Sequence, residues 1–417
     1  MPSRPSLIAR PRVLLLAGVI LVAFNLRGGI AAVSPVLPDI QATLGLSGFV
    51  AGLLTALPVL CFALVAPAAA WLGRRVGTET AILLACLVIA AGTVWRVLGG
   101  TATLLAGTLL IGAAITVANV LVPVVIKRDF ARRAGVVTGI YTAGMIAGST
   151  ATAALTAPLA AATGWRAALA SWAVLVAAAA VVWGLASWHR GSRTAAPQPA
   201  PAGPGRGGST VWRHPVAWAV ALAFGFQSIA YYSLTAWLPT LLVDELGVTL
   251  ETGGFAMSVF QLLGIPGTAL VAALAGRRSR QGWLAVLTAA GFVVMLVGLL
   301  AWPAAWPVWS IIGGVAQGAG ITLVLTLIVL RAHDSVVAGR LSGMAQLIAY
   351  IMGAAGPVVV GGLYEWTGGW TAPLVLLLAV VVALASCGLV AGRDTTVGAV
   401  PASGPARPGG SSHVEDS

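Results

Sequence analysis

Residues 101–126 read TATLLAGTLLIGAAITVANVLVPVVI, and residues 127–133 read KRDFARR. The first run carries no charge, whereas five of the seven residues in the second are charged. As a helix, the first run would be about 39 Å long, enough to cross a hydrocarbon core of about 30 Å. It must be a helix, because hydrocarbon offers no partner for backbone N–H and C=O groups and a helix pairs them internally. A long apolar run closed by a short basic one is the pattern of the whole chain.

Composition agrees. Of 417 residues, 59% are hydrophobic and only 8% charged, with a mean hydropathy of +0.97. A soluble domain carries about a quarter charged residues, so a water-soluble fold is excluded. Disordered, collagen-like and disulfide-scaffold classes fail on the same figures. Apolar stretches at 13–33, 49–72, 79–98, 101–126, 135–160, 167–187, 216–242, 252–275, 283–302, 305–330, 339–363 and 370–391 predict twelve spans. Val13–Phe24 could form the core of a signal peptide, but the apolar pattern continues past Arg27 and more spans follow.

The charges set the topology. Arginines precede span 1 (Arg4, Arg10, Arg12) and follow span 2 (Arg74, Arg75). Lys127, Arg128, Arg132 and Arg133 lie between spans 4 and 5, Arg190 to Arg213 between 6 and 7, and Arg277, Arg278 and Arg280 between 8 and 9. Arg331 and Arg340 flank the loop between spans 10 and 11, and Arg393 and Arg407 follow span 12. The alternate loops hold Asp39, Asp244, Glu245, Glu251 and Glu365. The positive-inside rule puts both termini in the cytoplasm. The net charge of +12 is explained by these loops, so no nucleic-acid partner is expected. No Walker A sequence is present, which excludes an ATP motor in this chain. No His-Glu-x-x-His occurs, the histidines lie in loops or tails, and no metal or cofactor is expected. Cys61, Cys86 and Cys387 read as small buried hydrophobes.

The halves repeat. Gly73-Arg74-Arg75 recurs as Gly276-Arg277-Arg278, Ala134-Gly135-x-x-x-Gly139 as Ala338-Gly339-x-x-x-Gly343, and Gly164-Trp165 as Gly369-Trp370, at separations of 203, 204 and 205. Each match falls at the same place in its half. The expectation is an all-α membrane protein whose twelve transmembrane helices form two pseudo-symmetric six-helix bundles, resembling the duplication of the major facilitator superfamily. Segments follow as a cytoplasmic start at 1–12, bundles at 13–187 and 216–391, a Pro/Gly/Arg-rich linker at 188–215 and a disordered tail at 392–417. Arg74, Arg75, Lys127, Arg128, Asp129, Arg277 and Arg278 become candidates for a cytoplasmic gate.

Polar side chains inside hydrocarbon are costly and ask for a reason. Amides stand on span 1 (Asn25), span 4 (Asn119), span 7 (Gln227), span 8 (Gln261), span 10 (Gln317) and span 11 (Gln346), and none on spans 3, 6, 9 or 12. The resembled fold lines its cavity with spans 1, 4, 7 and 10 and their neighbours, which would make these amides a solute-binding lining. Interhelical hydrogen bonding, at about 0.6 kcal/mol each, is the alternative. Tyr231 shares a helical face with Gln227, and Tyr350 with Gln346, four residues on; Tyr141 lies on span 5. Prolines 58, 123, 239, 266 and 357 should bend their spans. Arg27 is the most informative residue. It lies about 21 Å into span 1, where a guanidinium costs about 2.5–3.5 kcal/mol. No Asp or Glu stands at a span centre to neutralise it. Facing a cavity, such a group suits an anion or an electron-rich planar solute; snorkelling outward is the alternative. For Arg96 and Arg166, nearer outer helix ends, packing or snorkelling is expected.

Asn25-Leu26-Arg27, residues 34–38 (SPVLP), residues 52–62 (GLLTALPVLCF), residues 119–123 (NVLVP) with Lys127-Arg128-Asp129-Phe130, Gln227-Ser228 with Tyr231-Tyr232 and residues 236–239 (AWLP), and residues 261–266 (QLLGIP) resemble the cyanate and 2-nitroimidazole transporter (CynX/NimT) family within that superfamily. The resemblance spans about 13–391. It implies secondary transport of a small polar or anionic solute by alternating access, in either direction, by a chain expected to act as a monomer. Gly28-Gly29 replaces the proline that the family places after the arginine. A proton is the candidate coupling ion, although no buried carboxylate is visible to carry it. Rival expectations are a multidrug exporter, which would need a wide aromatic cavity, and a non-transporting membrane sensor. A membrane enzyme would need clustered nucleophiles or metal ligands at depth, and the spans show none.

Overall fold

The computed structural model describes residues 9–188, 208–275 and 280–397. These are helical, with one isolated β-bridge, Ala332 to Val397. Among the described residues, eleven helices are long and apolar enough to cross a membrane, and the bent pair Gly48–Leu64 and Ala66–Val76, counted as one span, makes twelve. Span 1 is Ala9–Ala31, span 2 the bent pair, span 3 Thr78–Trp95, span 4 Thr101–Asp129, span 5 Ala134–Thr163, and span 6 Trp165–Ser171 with Ala173–Trp188. Span 7 is Pro215–Leu246, span 8 Leu250–Leu262 with Gly264–Leu274, span 9 Gly282–Ala301, span 10 Trp306–Leu330, span 11 Ser335–Thr367 and span 12 Thr371–Ala391. Several spans outrun their apolar stretches because polar residues cap them. Span 11 starts four residues before its apolar run, where the Asp334 carboxylate accepts from the Val336 and Val337 N–H groups, each at 2.8 Å. Those bonds, Val337 first, hold that carboxyl below the usual carboxylate range.

Three expectations need correction. The 60° bend of span 2 is at Val65, where Pro67 enters the first turn of the next helix, and not at Pro58. Pro58, Pro123, Pro239 and Pro357 lie inside continuous helices, while Pro266 follows the break in span 8 at Leu263. The linker ends in a short helix, Gly208–Arg213, whose Val211 is buried; residues 189–207 lie outside the described residues. The start of the expected disordered tail is ordered. Val397 is fully buried, its N–H donates to the Arg331 carbonyl at 2.7 Å, and the Gln281 N–H donates to the Gly392 carbonyl at 3.1 Å. Residues 398–417 lie outside the described residues.

Small residues let the spans approach closely, which is where packing energy comes from in lipid. Gly148 of span 5 faces the Phe24 backbone of span 1, and Gly353 and Gly356 of span 11 face span 7. The seam between the halves uses the same device. Gly48 and Gly52 of span 2 lie on Pro357 and Gly361 of span 11, and Gly254 of span 8 lies on the Ala153 carbonyl of span 5. Glu365 accepts from the Gly48 N–H at 3.0 Å, so a carboxylate of one half caps a helix N-terminus of the other. All these contacts are on the side of the acidic loops. At the other ends of spans 5 and 11, a Cβ on Gly135, Gly139, Gly339 or Gly343 would meet nothing within 4 Å. The molecule is therefore closed towards the acidic loops and parted towards the arginine-rich ones.

A Cβ at Gly52 would lie 2.5 Å from the Pro357 carbonyl oxygen and 2.7 Å from the Val358 Cα. Gly52→Val is expected to part the seam. In a background lacking Cys61, Cys86 and Cys387, a Gln346→Cys probe should then react with a membrane-impermeant maleimide added from the acidic-loop side. Unchanged protection would show that the glycine contact does not hold the seam closed.

Candidate solute-binding site

Spans from both halves enclose a cavity of about 430 Å³ that opens where the helices part. Among the described residues, Arg27 is the sole charged one in its lining. One turn before the end of span 1, its Nη1 donates to the Tyr231 hydroxyl at 2.9 Å. The guanidinium also lies 5.5 Å from the centre of the Tyr231 ring. That hydroxyl in turn donates to Gln261 Oε1 at 3.2 Å. Arg27 belongs to the first half, and Tyr231 and Gln261 to the second. Positions 27 and 231 are 204 apart, the repeat separation, so equivalent residues of the two halves meet. The arginine turns into the cavity and does not snorkel. Neutral dipoles hold it, and its charge has no carboxylate in the lining to answer it.

Around this centre the remaining residues sort plainly. Asn119 accepts from the Tyr141 hydroxyl at 2.9 Å, and both line the cavity. Gln346 donates to Ser342 at 2.8 Å, and Tyr350, one turn on, packs edge-on against Phe62 with ring centres 5.4 Å apart; both line the cavity too. Gln227 and Gln317 line a side pocket of about 40 Å³ that shares Arg27, Tyr231 and Tyr350 with the main cavity. Gln227 Nε2 donates to the Gln317 carbonyl at 3.2 Å. Asn25 is a correction. Two positions from Arg27, it points off the cavity face and donates to the carbonyls of Leu21 and Leu175, at 2.8 and 3.3 Å. It fastens span 1 to span 6.

Sequence reasoning found half of the aromatic lining and missed three rings. Phe62, Phe224 and Tyr232 join Tyr141, Tyr231 and Tyr350 there. A signal existed for Phe224, which stands three and seven residues before Gln227 and Tyr231 and so shares their face. Phe62 lies on a span whose facing is set by the bend at Val65, which the sequence pattern does not reveal.

Five of the seven gate candidates lie among the described residues. Arg128, at the end of span 4, pairs with Asp129 at 2.7 Å and with Glu79 at the start of span 3, so it binds two spans of one half together. In the second half Arg331, 203 residues later, bonds Gln281 in the same way. Arg75 lies over the Trp71 ring at 5.2 Å, Arg74 sits beside it in the last turn of span 2, and Lys127 is exposed. Arg277 and Arg278 lie outside the described residues. Arg96 is buried, with Nη1 on the Gly29 carbonyl at 3.3 Å, which is packing. Among the described residues no cluster of His, Cys, Asp and Glu could hold a metal ion.

The sequence profile described as Major Facilitator Superfamily matches residues 19–357. The chain belongs to the major facilitator superfamily. It is 35% identical to the 2-nitroimidazole transporter of Escherichia coli (strain K12), over 94% of this chain and 98% of that one. With the cyanate transport protein CynX of the same organism it shares 30% identity, over 84% and 90% of the two chains. A bacterial homologue of the human lysosomal transporter Spinster, solved in an inward-facing and unoccupied conformation, shares the fold at a TM-score of 0.75 and 16% identity, over 94% of this chain and 98% of that one. As a CynX/NimT-like member the protein is a multi-pass membrane transporter of small molecules and not an enzyme.

Tyr231→Phe removes the acceptor for Arg27 and the donor to Gln261. Unfolding of the detergent-solubilised protein should cost roughly 1–3 kcal/mol less than wild type. Wild-type stability in this variant would contradict the bonded arrangement.

Proposed function

We propose that this transporter carries a small, planar or anionic solute across a bacterial cytoplasmic membrane by alternating access, with Arg27 as its anion-binding group. The observation that carries the reading is the lone guanidinium in a cavity lined by neutral hydroxyls, amides and aromatic rings. A positive charge in a low-dielectric wall attracts an anion strongly, and among the described residues no lining carboxylate competes for it. At about 430 Å³ the cavity lies near the small end of ligand sites, which favours a small solute over a bulky drug. The substrates named for the relatives, 2-nitroimidazole and cyanate, are consistent with this chemistry.

The geometry gives the solute a route to move the protein. Arg27 of one half is tied to Tyr231 of the other. An anionic group entering from the parted side competes with Tyr231 for the guanidinium and takes its place as the bridge between halves. Tyr231, Gln261, Asn119, Tyr141, Gln346 and Tyr350 then offer bonds to the rest of the solute, with Gln227 and Gln317 in the side pocket. The moving bodies in this reading are residues 13–187 and 216–391, joined by the linker at 188–215, in a monomer whose termini and tail at 392–417 are cytoplasmic. Positive loops on that side support the orientation. With no carboxylate in the lining, a coupled proton travels on a weakly acidic solute.

The aromatic lining supports a second reading, efflux of lipophilic compounds. The arginine works against the cationic members of that class.

Titrating the purified protein with cyanate, nitrate, nitroimidazoles and short carboxylates, and following its thermal unfolding, tests the reading. Saturable stabilisation by one of these is expected, lost in Arg27→Ala and partly kept in Arg27→Lys. Stabilisation by bulky hydrophobic cations alone would overturn it in favour of efflux.

A further inference from the structure

A second concave site lies away from the transport cavity, on the side of the arginine-rich loops, between the start of span 9 and the end of span 12. Its lining includes Arg280, Gly282, Trp283, Leu389, Arg393 and Asp394, around a cavity of about 830 Å³. Neither arginine has a side-chain bond or acidic partner among the described residues, and both are exposed. Among the described residues one carboxylate stands at the rim, Asp394, which lies 3.9 Å from Arg331.

The backbone around this cleft is arranged to favour an anion. Carbonyls at the end of span 12 would repel one, but Arg331 takes them up. Its Nε donates to the Ala391 carbonyl at 2.8 Å and its Nη2 to the Gly392 carbonyl at 3.2 Å. The Gln281 N–H also donates to Gly392, so the segment that bears Arg393 is pinned beside the start of span 9. Span 9 begins there with no acidic residue in its first turn and no side-chain cap on its N-terminus. The first half differs at the equivalent place, since span 3 carries Glu79 in its first turn and so supplies its own anion. In the second half an amide, Gln281, stands in the carboxylate's place, and two arginines flank it.

The polarity of the cleft also has a direction. Trp283 sits in the wall, at the start of span 9, and tryptophan is enriched at the ends of membrane spans. About one turn further into the membrane, Leu389 is half exposed and offers an apolar floor. Charge above and apolar surface below is the profile of a phospholipid.

We infer that this cleft binds a phosphate group, carried by an anionic phospholipid headgroup or by free phosphate, with Arg280 and Arg393 as its ligands and the N-terminus of span 9 behind them. Basic pockets between spans on this side suit such groups.

Native mass spectrometry of the full-length protein released from micelles tests this, with phosphatidylglycerol, phosphatidylcholine and inorganic phosphate as separate probes. Retention of phosphatidylglycerol over phosphatidylcholine is expected, roughly thirtyfold weaker in R280Q/R393Q. R280K/R393K should recover most of it. If inorganic phosphate binds with the same dependence on both arginines and displaces the lipid, the source is free phosphate and the site stands. Equal retention of both lipids, or unchanged retention of phosphatidylglycerol in a folded R280Q/R393Q protein with no phosphate bound, overturns the assignment. Thermal unfolding of each variant separates loss of the site from loss of the fold.

Discussion

One guanidinium inside a low-dielectric wall, held by hydroxyl and ring and not by a carboxylate, is the constraint that organises this transporter. Arg27 is expensive where it stands, and the protein meets the cost with dipoles: the Tyr231 hydroxyl, its ring, and Gln261 behind it. Dipoles can stabilise a charge without cancelling it. A fixed Asp or Glu in the same place would have produced a neutral pair, with little attraction left for a solute. The same bond joins the halves, because position 231 is the repeat equivalent of position 27. In the proposed function, binding chemistry and the geometry of movement therefore meet at one contact.

The rest of the fold serves that contact by keeping the seam thin. Glycines at 48, 52, 254 and 361 let backbones from the two halves touch on the acidic-loop side, while Gly135, Gly139, Gly339 and Gly343 face open space on the other. Small side chains suit a surface that, in the proposed function, parts and closes again. They give close packing without interlocking side chains that would have to be unthreaded. Within each half the opposite logic holds, with polar ties such as Arg128 to Glu79 and Arg331 to Gln281 fastening one span to another.

Much of this was legible in the sequence, for physical reasons that can be named. Span number followed from the length of apolar runs, and the duplication from glycine-arginine and glycine-tryptophan pairs at a shared separation. Arg27 stood out because an unneutralised charge in a span is rare. What escaped depended on rotation and bending about helix axes. Asn25 looked equivalent to Asn119 on composition, but its two-residue offset from Arg27 turns it towards Leu175 of span 6. Phe62 enters the lining on a span whose bend at Val65 no periodicity announces. The order of residues 392–397 depends on backbone pairing with 331–333, a long-range contact that local composition does not report.

The account is tested most directly by the position of a bound anion. A crystal structure with a brominated carboxylate or nitro compound that stabilises the protein would locate the ligand by the anomalous signal of bromine. The account predicts the anionic group within hydrogen-bond distance of the Arg27 guanidinium, with the Tyr231 hydroxyl displaced from Nη1. An anion bound elsewhere in the cavity, with Arg27 and Tyr231 still joined, would contradict it.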